Sequence, residues 1–140
     1  MSLRRRERER FDELFEEVLA ELPEGIHRLI EEVPLVLEDR PSRQLLRELG
    51  IDEDELLCGL HTGTPLTERS VERPDQSDVI QLFREGIIDM AGGWDEGVED
   101  DGTAFGGEER IREEIRITVL HEIGHHFGLD EDDLDRLGYA

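Results

Sequence analysis

Ile111-Arg112-Glu113-Glu114-Ile115-Arg116-Ile117-Thr118-Val119-Leu120-His121-Glu122-Ile123-Gly124-His125-His126-Phe127-Gly128 carries apolar side chains at four-residue intervals: Ile111, Ile115, Val119, Ile123 and Phe127. At about 100° per residue this spacing is one face of an α-helix, which is predicted to start near Glu108 and to end at Gly128. The same step puts His121 and His125 on one face a single turn apart, where two ring nitrogens converge on one metal ion. Glu122 sits one step round, beside that ion. A carboxylate there accepts a proton from water held by the metal and later passes it to a leaving amine. His126 points about 100° away from His125, toward the packed side, and reads as a structural or supporting histidine.

A catalytic zinc keeps three protein ligands and one open position, so two histidines leave the set one short. A third ligand on another helix some twenty residues further on would fall beyond Ala140. In the arrangement His-Glu-x-x-His-x-x-Gly-x-x-His the glycine turns the chain and the eleventh position returns to the metal. Here Gly128 holds the glycine position and Glu131 the eleventh, an oxygen ligand of suitable type. Glu131 is therefore the first choice, with Asp130 beside it and His61 in a distant strand as the alternatives.

Composition sets the limits around this helix. The chain has 140 residues, with 38 Asp plus Glu against 16 basic side chains, all of them arginine, for a formal net charge of -22. With 36% hydrophobic residues it is expected to fold as one α+β domain over 1–140, since a single core serves roughly 100 to 150 residues. Nucleic acid is set aside as a partner because a duplex or single strand would be repelled almost everywhere. The one basic run, Arg4, Arg5, Arg6, Arg8 and Arg10, is interrupted by Glu7 and Glu9 and reads as a solvated helix start. No apolar core of a signal peptide and no 18-residue apolar stretch occurs, so no membrane is expected and the cytoplasm is the expected compartment. Cys58, the sole cysteine, reads as a small core residue.

Upstream, Phe11, Leu14, Phe15, Val18, Leu19 and Leu22 mark a first amphipathic helix, and Ile26, Leu29 and Ile30 a shorter one over 24–32 stopped by Pro34. Strands are predicted at 35–37, 56–61 and 79–83, with a helix from the cap Ser42 to Leu49 and its stop Gly50. The third strand, Val79, Ile80, Gln81, Leu82 and Phe83, is the candidate edge on which an extended peptide would lie. Residues 62–78 read as loop. Six of the 17 residues from Ala91 to Gly107 are glycine, so this acidic segment is expected to be a flexible loop without a core of its own. Its acids lack the alternating register of a calcium-binding EF-hand loop.

The run from His121 to Gly128 with the acidic Asp130-Glu131-Asp132-Asp133-Leu134 behind it, together with Gly59-Leu60-His61-Thr62-Gly63-Thr64-Pro65-Leu66-Thr67-Glu68-Arg69 and the strand near 80–83, resembles the small single-domain bacterial zincin-like metallopeptidases. The resemblance covers most of the chain from Leu14 onward in outline. It implies a compact α+β zincin-like domain, with a small three- to four-stranded sheet packed against helices and the active-site helix near the C-terminus. It also implies Zn2+ held by His121 and His125, with Glu131 as acidic third ligand and Glu122 as the base. No methionine follows Met90, so the methionine turn that floors some zincin sites is lacking.

The leading functional expectation is a zinc-dependent peptidase acting on short or unstructured peptides, since a domain this small offers little material for a deep cleft. The competing one is a non-catalytic zinc-stapled interaction domain, in which the metal ties the terminal 130–137 segment to the main helix. Glu122 separates the two, because a staple has no use for a base beside an open position. A metal-dependent endoribonuclease is set aside by the charge. Tyr139 is read as an anchor of the last helix.

Overall fold

The apolar stripe of the first helix needs a partner surface, and the long C-terminal helix supplies it. The structure is a computed structural model that describes residues 3–52, 54–62 and 79–136, apart from the side chains of His61, Thr62, Glu131 and Asp135. Its elements run α1 (Arg5–Glu21), α2 (Glu24–Ile30), β1 (Leu35–Glu38), α3 (Arg43–Leu49), β2 (Gly59–Thr62), β3 (Val79–Phe83) and α4 (Arg84–Ala91). They continue as β4 (Gly97–Val98), β5 (Ala104–Phe105), α5 (Glu108–Phe127) and α6 (Glu131–Arg136). Phe11, Leu14, Phe15 and Val18 of α1 meet Ile111, Ile115, Val119 and Ile123 of α5 in one core, with Ile26, Ile80, Leu82 and Ile87. Sequence periodicity named the α1 and α5 faces correctly because helix amphipathicity is a local property. The expected mixed α+β architecture, with its long helix near the C-terminus, is what the chain adopts.

A three-stranded sheet lies against this core in the order β1-β3-β2, with β1 parallel and β2 antiparallel to β3. Residues Val79, Ile80, Gln81, Leu82 and Phe83 therefore form the central strand of the described sheet. The expected edge role of this strand is corrected. It is paired on both flanks, Ile80 opposite Leu35 on one and His61 on the other, which leaves no row of backbone groups for a peptide. Among the described residues the flanking strands β1 and β2 are the edges. Strand alternation sends Ile80 and Leu82 into the core, and Phe83 is also fully buried, outside that cluster.

One segment holds a helix that sequence periodicity left unassigned, and another differs from its expectation. The third strand stops at Phe83 and the chain coils at once into α4, burying Ile87, Ile88 and Ala91. Gly86 lets this helix cross the approach to β2, because a Cβ there would collide with the Leu57 carbonyl. The glycine-rich segment forms a small antiparallel hairpin, with Gly97 opposite Phe105 and Val98 opposite Ala104. It is tied to the end of α4 by Gly106 N–H to the Ala91 carbonyl, 2.8 Å, and Gly107 N–H to the Gly93 carbonyl, 3.0 Å. Trp94 packs against the core from within it. Glycine content reads as loop; here the positive φ of Gly92, Gly93, Gly102, Gly106 and Gly107 builds the tight turns of an ordered hairpin. The short α3 matches expectation: the Ser42 hydroxyl accepts from Leu45 N–H, and Gly50 closes the helix in the left-handed region.

The arginine run is more than a solvated helix start. Arg8 makes a two-point contact with Asp39, and Arg10 a two-point contact with Glu108 at 2.8 and 2.7 Å, tying α1 to the start of α5. Arg84, nearly buried at the head of α4, donates to both oxygens of Asp12 and to Asp39. The Arg8 guanidinium first, and then Arg84, hold the Asp39 carboxyl below its ordinary range. A depressed carboxyl contributes stability above the ordinary carboxylate range and loses it as pH falls through the folded value. Arg84→Met, which keeps the volume but strands two carboxylates, is expected to cost about 2–3 kcal/mol in denaturant melts at pH 7. The gap to the parent should narrow as pH falls through the depressed range of the Asp39 carboxyl. An unchanged gap across that range would show that the cluster does not act through charge.

Candidate metal centre

Helix α5 is buried along Ile111, Ile115, Val119 and Ile123, each at zero exposure, and this fixes how the rest of the helix points. His121 and His125 stand on the solvent side, both exposed and one turn apart. Glu122 turns inward. It is only 8% exposed, and its Cγ packs where β2 passes at Gly59. His126 lies on the packed side as expected, buried and set edge-on to the Phe127 ring at 4.5 Å.

The exit from the helix is equally defined. Gly128 adopts φ 66°, and the Gly124 carbonyl accepts from both Gly128 N–H and, at 2.8 Å, Leu129 N–H. This wraps the chain back so that Leu134 of α6 lies over Gly124, whose missing side chain leaves room for the Leu129 carbonyl. Asp130 and Asp133 cap the start of α6 reciprocally: Asp133 N–H donates to Asp130 Oδ1 at 2.8 Å, and Asp130 N–H to Asp133 Oδ2 at 3.0 Å. The backbone hydrogen bond from Asp133 holds the Asp130 carboxyl below its ordinary range. The Asp130 carboxylate is thus engaged in the turn. Glu131 opens α6, one residue beyond the cap, and its side chain lies outside the described residues. His61 pairs with Ile80 in β2, and its side chain also lies outside them. Among the described residues no three His, Cys, Asp or Glu side chains gather as a metal group. Tyr139 falls outside the described residues as well.

Cys58 borders the site without joining its chemistry. Burial pushes its thiol up to about 11, with Glu114, Asp89 and Glu122 adding to the shift, so it stays protonated at neutral pH and is a poor nucleophile and metal ligand.

With this geometry in place, the sequence matches the zincin-like metallopeptidase family over residues 30–139. The chain belongs to that family. The match takes in all three strands of the sheet, α5 and α6, and leaves α1 outside it. Membership in this family points to metal-dependent peptidase chemistry. Comparison with curated proteins returned no match. The donor chemistry suits zinc: two exposed imidazoles stand one turn apart on α5, ahead of a glycine that turns the chain into the acidic start of α6. Among the described residues no helix is long and apolar enough to cross a membrane. Two residues at this site, Gly59 and Thr118, are given no role by the motif. Thr118 lies one turn before Glu122, a spacing that is the one local signal for it.

Proposed function

We propose that this zincin-like metallopeptidase is a zinc-dependent peptidase of short or unstructured peptides, with His121 and His125 as ligands, Glu131 as the third and Glu122 as the base. The observation that carries the reading is the placement of Glu122, 8% exposed between two exposed histidines. A carboxylate held one helical step from an imidazole ligand is placed to take a proton from metal-held water, and a purely structural site has no use for a base there. A zinc staple also has little to do here, because Leu134 already docks α6 over Gly124.

Zinc, when bound, supplies a Lewis acid for the scissile carbonyl and makes water a stronger acid. The chain supplies the rest. Glu122 takes the proton of the attacking water and returns it to the leaving amine. With β3 enclosed, the outer side of β2, which runs past Glu122 at Gly59, replaces it as the strand that lines up an extended peptide. The net charge of -22 favours basic or neutral peptides in encounter rate, an advantage that salt screens. We place this action in the cytoplasm.

The test is cleavage of an unstructured peptide library by zinc-loaded protein. Cleavage is expected to be slow, faster for basic peptides at low salt, lost in a chelator and regained when zinc is restored. Silence toward every peptide with zinc bound would transfer the site to the zinc-stapled interaction domain. The third ligand has its own measurement. Glu131→Ala should weaken zinc binding by about one to two orders of magnitude, while Asp130→Asn, which keeps an acceptor for the cap, should leave it within a few-fold. The reverse order would assign Asp130, and no change in either would assign His61.

A further inference from the structure

Strand β2 passes α5 at its only glycine, and the space left there is filled by two side chains of the helix. A Cβ placed on Gly59 would lie 2.9 Å from Thr118 Cγ2, 3.1 Å from Glu122 Cγ and 3.3 Å from the Gln81 carbonyl oxygen. Thr118 and Glu122 are one helical turn apart, both buried, so their side chains lie one above the other against the strand. Neither backbone can retreat. Gly59 is opposite Leu82 in the ladder to β3, the adjoining Cys58 carbonyl accepts Phe83 N–H at 2.8 Å, and α5 is held by the fully buried Val119 and Ile123. Thr118 is stiff about χ1 because it is branched at Cβ. The unbranched Glu122 is therefore the group that must yield to anything added at Gly59.

We propose that Gly59 and Thr118 are positioning residues for the Glu122 carboxylate: the missing side chain of the one and the methyl of the other form a slot that holds the Glu122 methylenes in a single orientation. This rests on the proposed role of Glu122 as base. Gly59 has no positive φ, so alanine is tolerated by the backbone and tests the slot alone. In Gly59→Ala the carboxylate is displaced while both histidines stay in place.

The experiment pairs structure with kinetics. In metal-free protein, an NOE between Gly59 Hα and Glu122 Hγ is expected, assigned by its loss in Glu122→Gln. Gly59→Ala should bind zinc within a few-fold of the parent, retain KM, and lose about ten- to a hundredfold in kcat, the penalty of misplacing a reacting group by about 1 Å. Thr118→Ser removes the methyl that meets the new Cβ first, so adding it to Gly59→Ala should restore at least about tenfold of any hundredfold loss. A change confined to stability would not be rescued in kcat by that second substitution. Should Gly59→Ala fail to fold, Thr118→Ala opens the same slot from the other side and is expected to weaken the NOE and lower kcat several-fold with zinc retained. Absence of the NOE in the parent, or parental kcat in the folded slot variant, overturns the proposal. Parental activity in zinc-loaded Glu122→Gln would instead remove the base assignment, and the NOE alone would then decide whether the slot holds the Glu122 side chain.

Discussion

Replacing His121 or His125 with alanine is expected to lower zinc affinity by at least about a thousandfold, more than the ten- to hundredfold typical of losing a supporting hydrogen bond to a ligand. The two imidazoles are exposed on the side of α5 opposite the fully buried Ile115 and Val119, so neither substitution opens a cavity in the core. Melting behaviour of the metal-free protein should therefore stay close to the parent. Zinc should stabilise the parent in proportion to ligand concentration and fail to stabilise the variants. Competition against a chromophoric chelator measures the affinity directly. One zinc per chain in the double alanine variant would end the assignment.

Glu122→Gln is expected to keep zinc and to lose at least about a hundredfold in peptidase rate, the contribution of a positioned general base. The choice of glutamine follows from packing. Glu122 is 8% exposed with its Cγ against the Gly59 passage, so alanine would remove a buried contact along with the carboxylate, whereas glutamine keeps the shape. Because the buried shape is kept, its melting temperature should stay close to the parent's. A loss of rate beside unchanged stability is the signature of a group retained for chemistry. Zinc-replete Glu122→Gln that cleaves as fast as the parent would sink the peptidase reading.

How far these expectations were legible differs from element to element. The helical placement of His121, Glu122 and His125 followed from the four-residue recurrence of Ile111, Ile115, Val119 and Ile123, all of which are buried. The Ser42 and Gly50 ends of α3 were equally readable, because caps are built by residues within a few positions of each other. The stretch beyond Phe83 was not: Ile87 and Ile88 after a β-rich run continue equally well as strand, and only packing against α5 and the sheet selects the helix. The glycine-rich hairpin escaped for a related reason. Its order comes from hydrogen bonds to Ala91 and Gly93, while composition records only that glycines are many.

What the sequence alone determined is the local part of the site: two histidines one turn apart, a carboxylate one step round, and a glycine that ends the helix. Each is a matter of angles along one chain segment. Tertiary structure decided which strand is enclosed, since placing β3 between β1 and β2 depends on pairing residues far apart in sequence, Leu35 with Ile80 and His61 with Ile80. It also decided that Glu122 is buried. The helical step sets a direction for Glu122, but whether that direction meets water or protein depends on β2 arriving with a glycine at the point of contact, which no periodicity within α5 records.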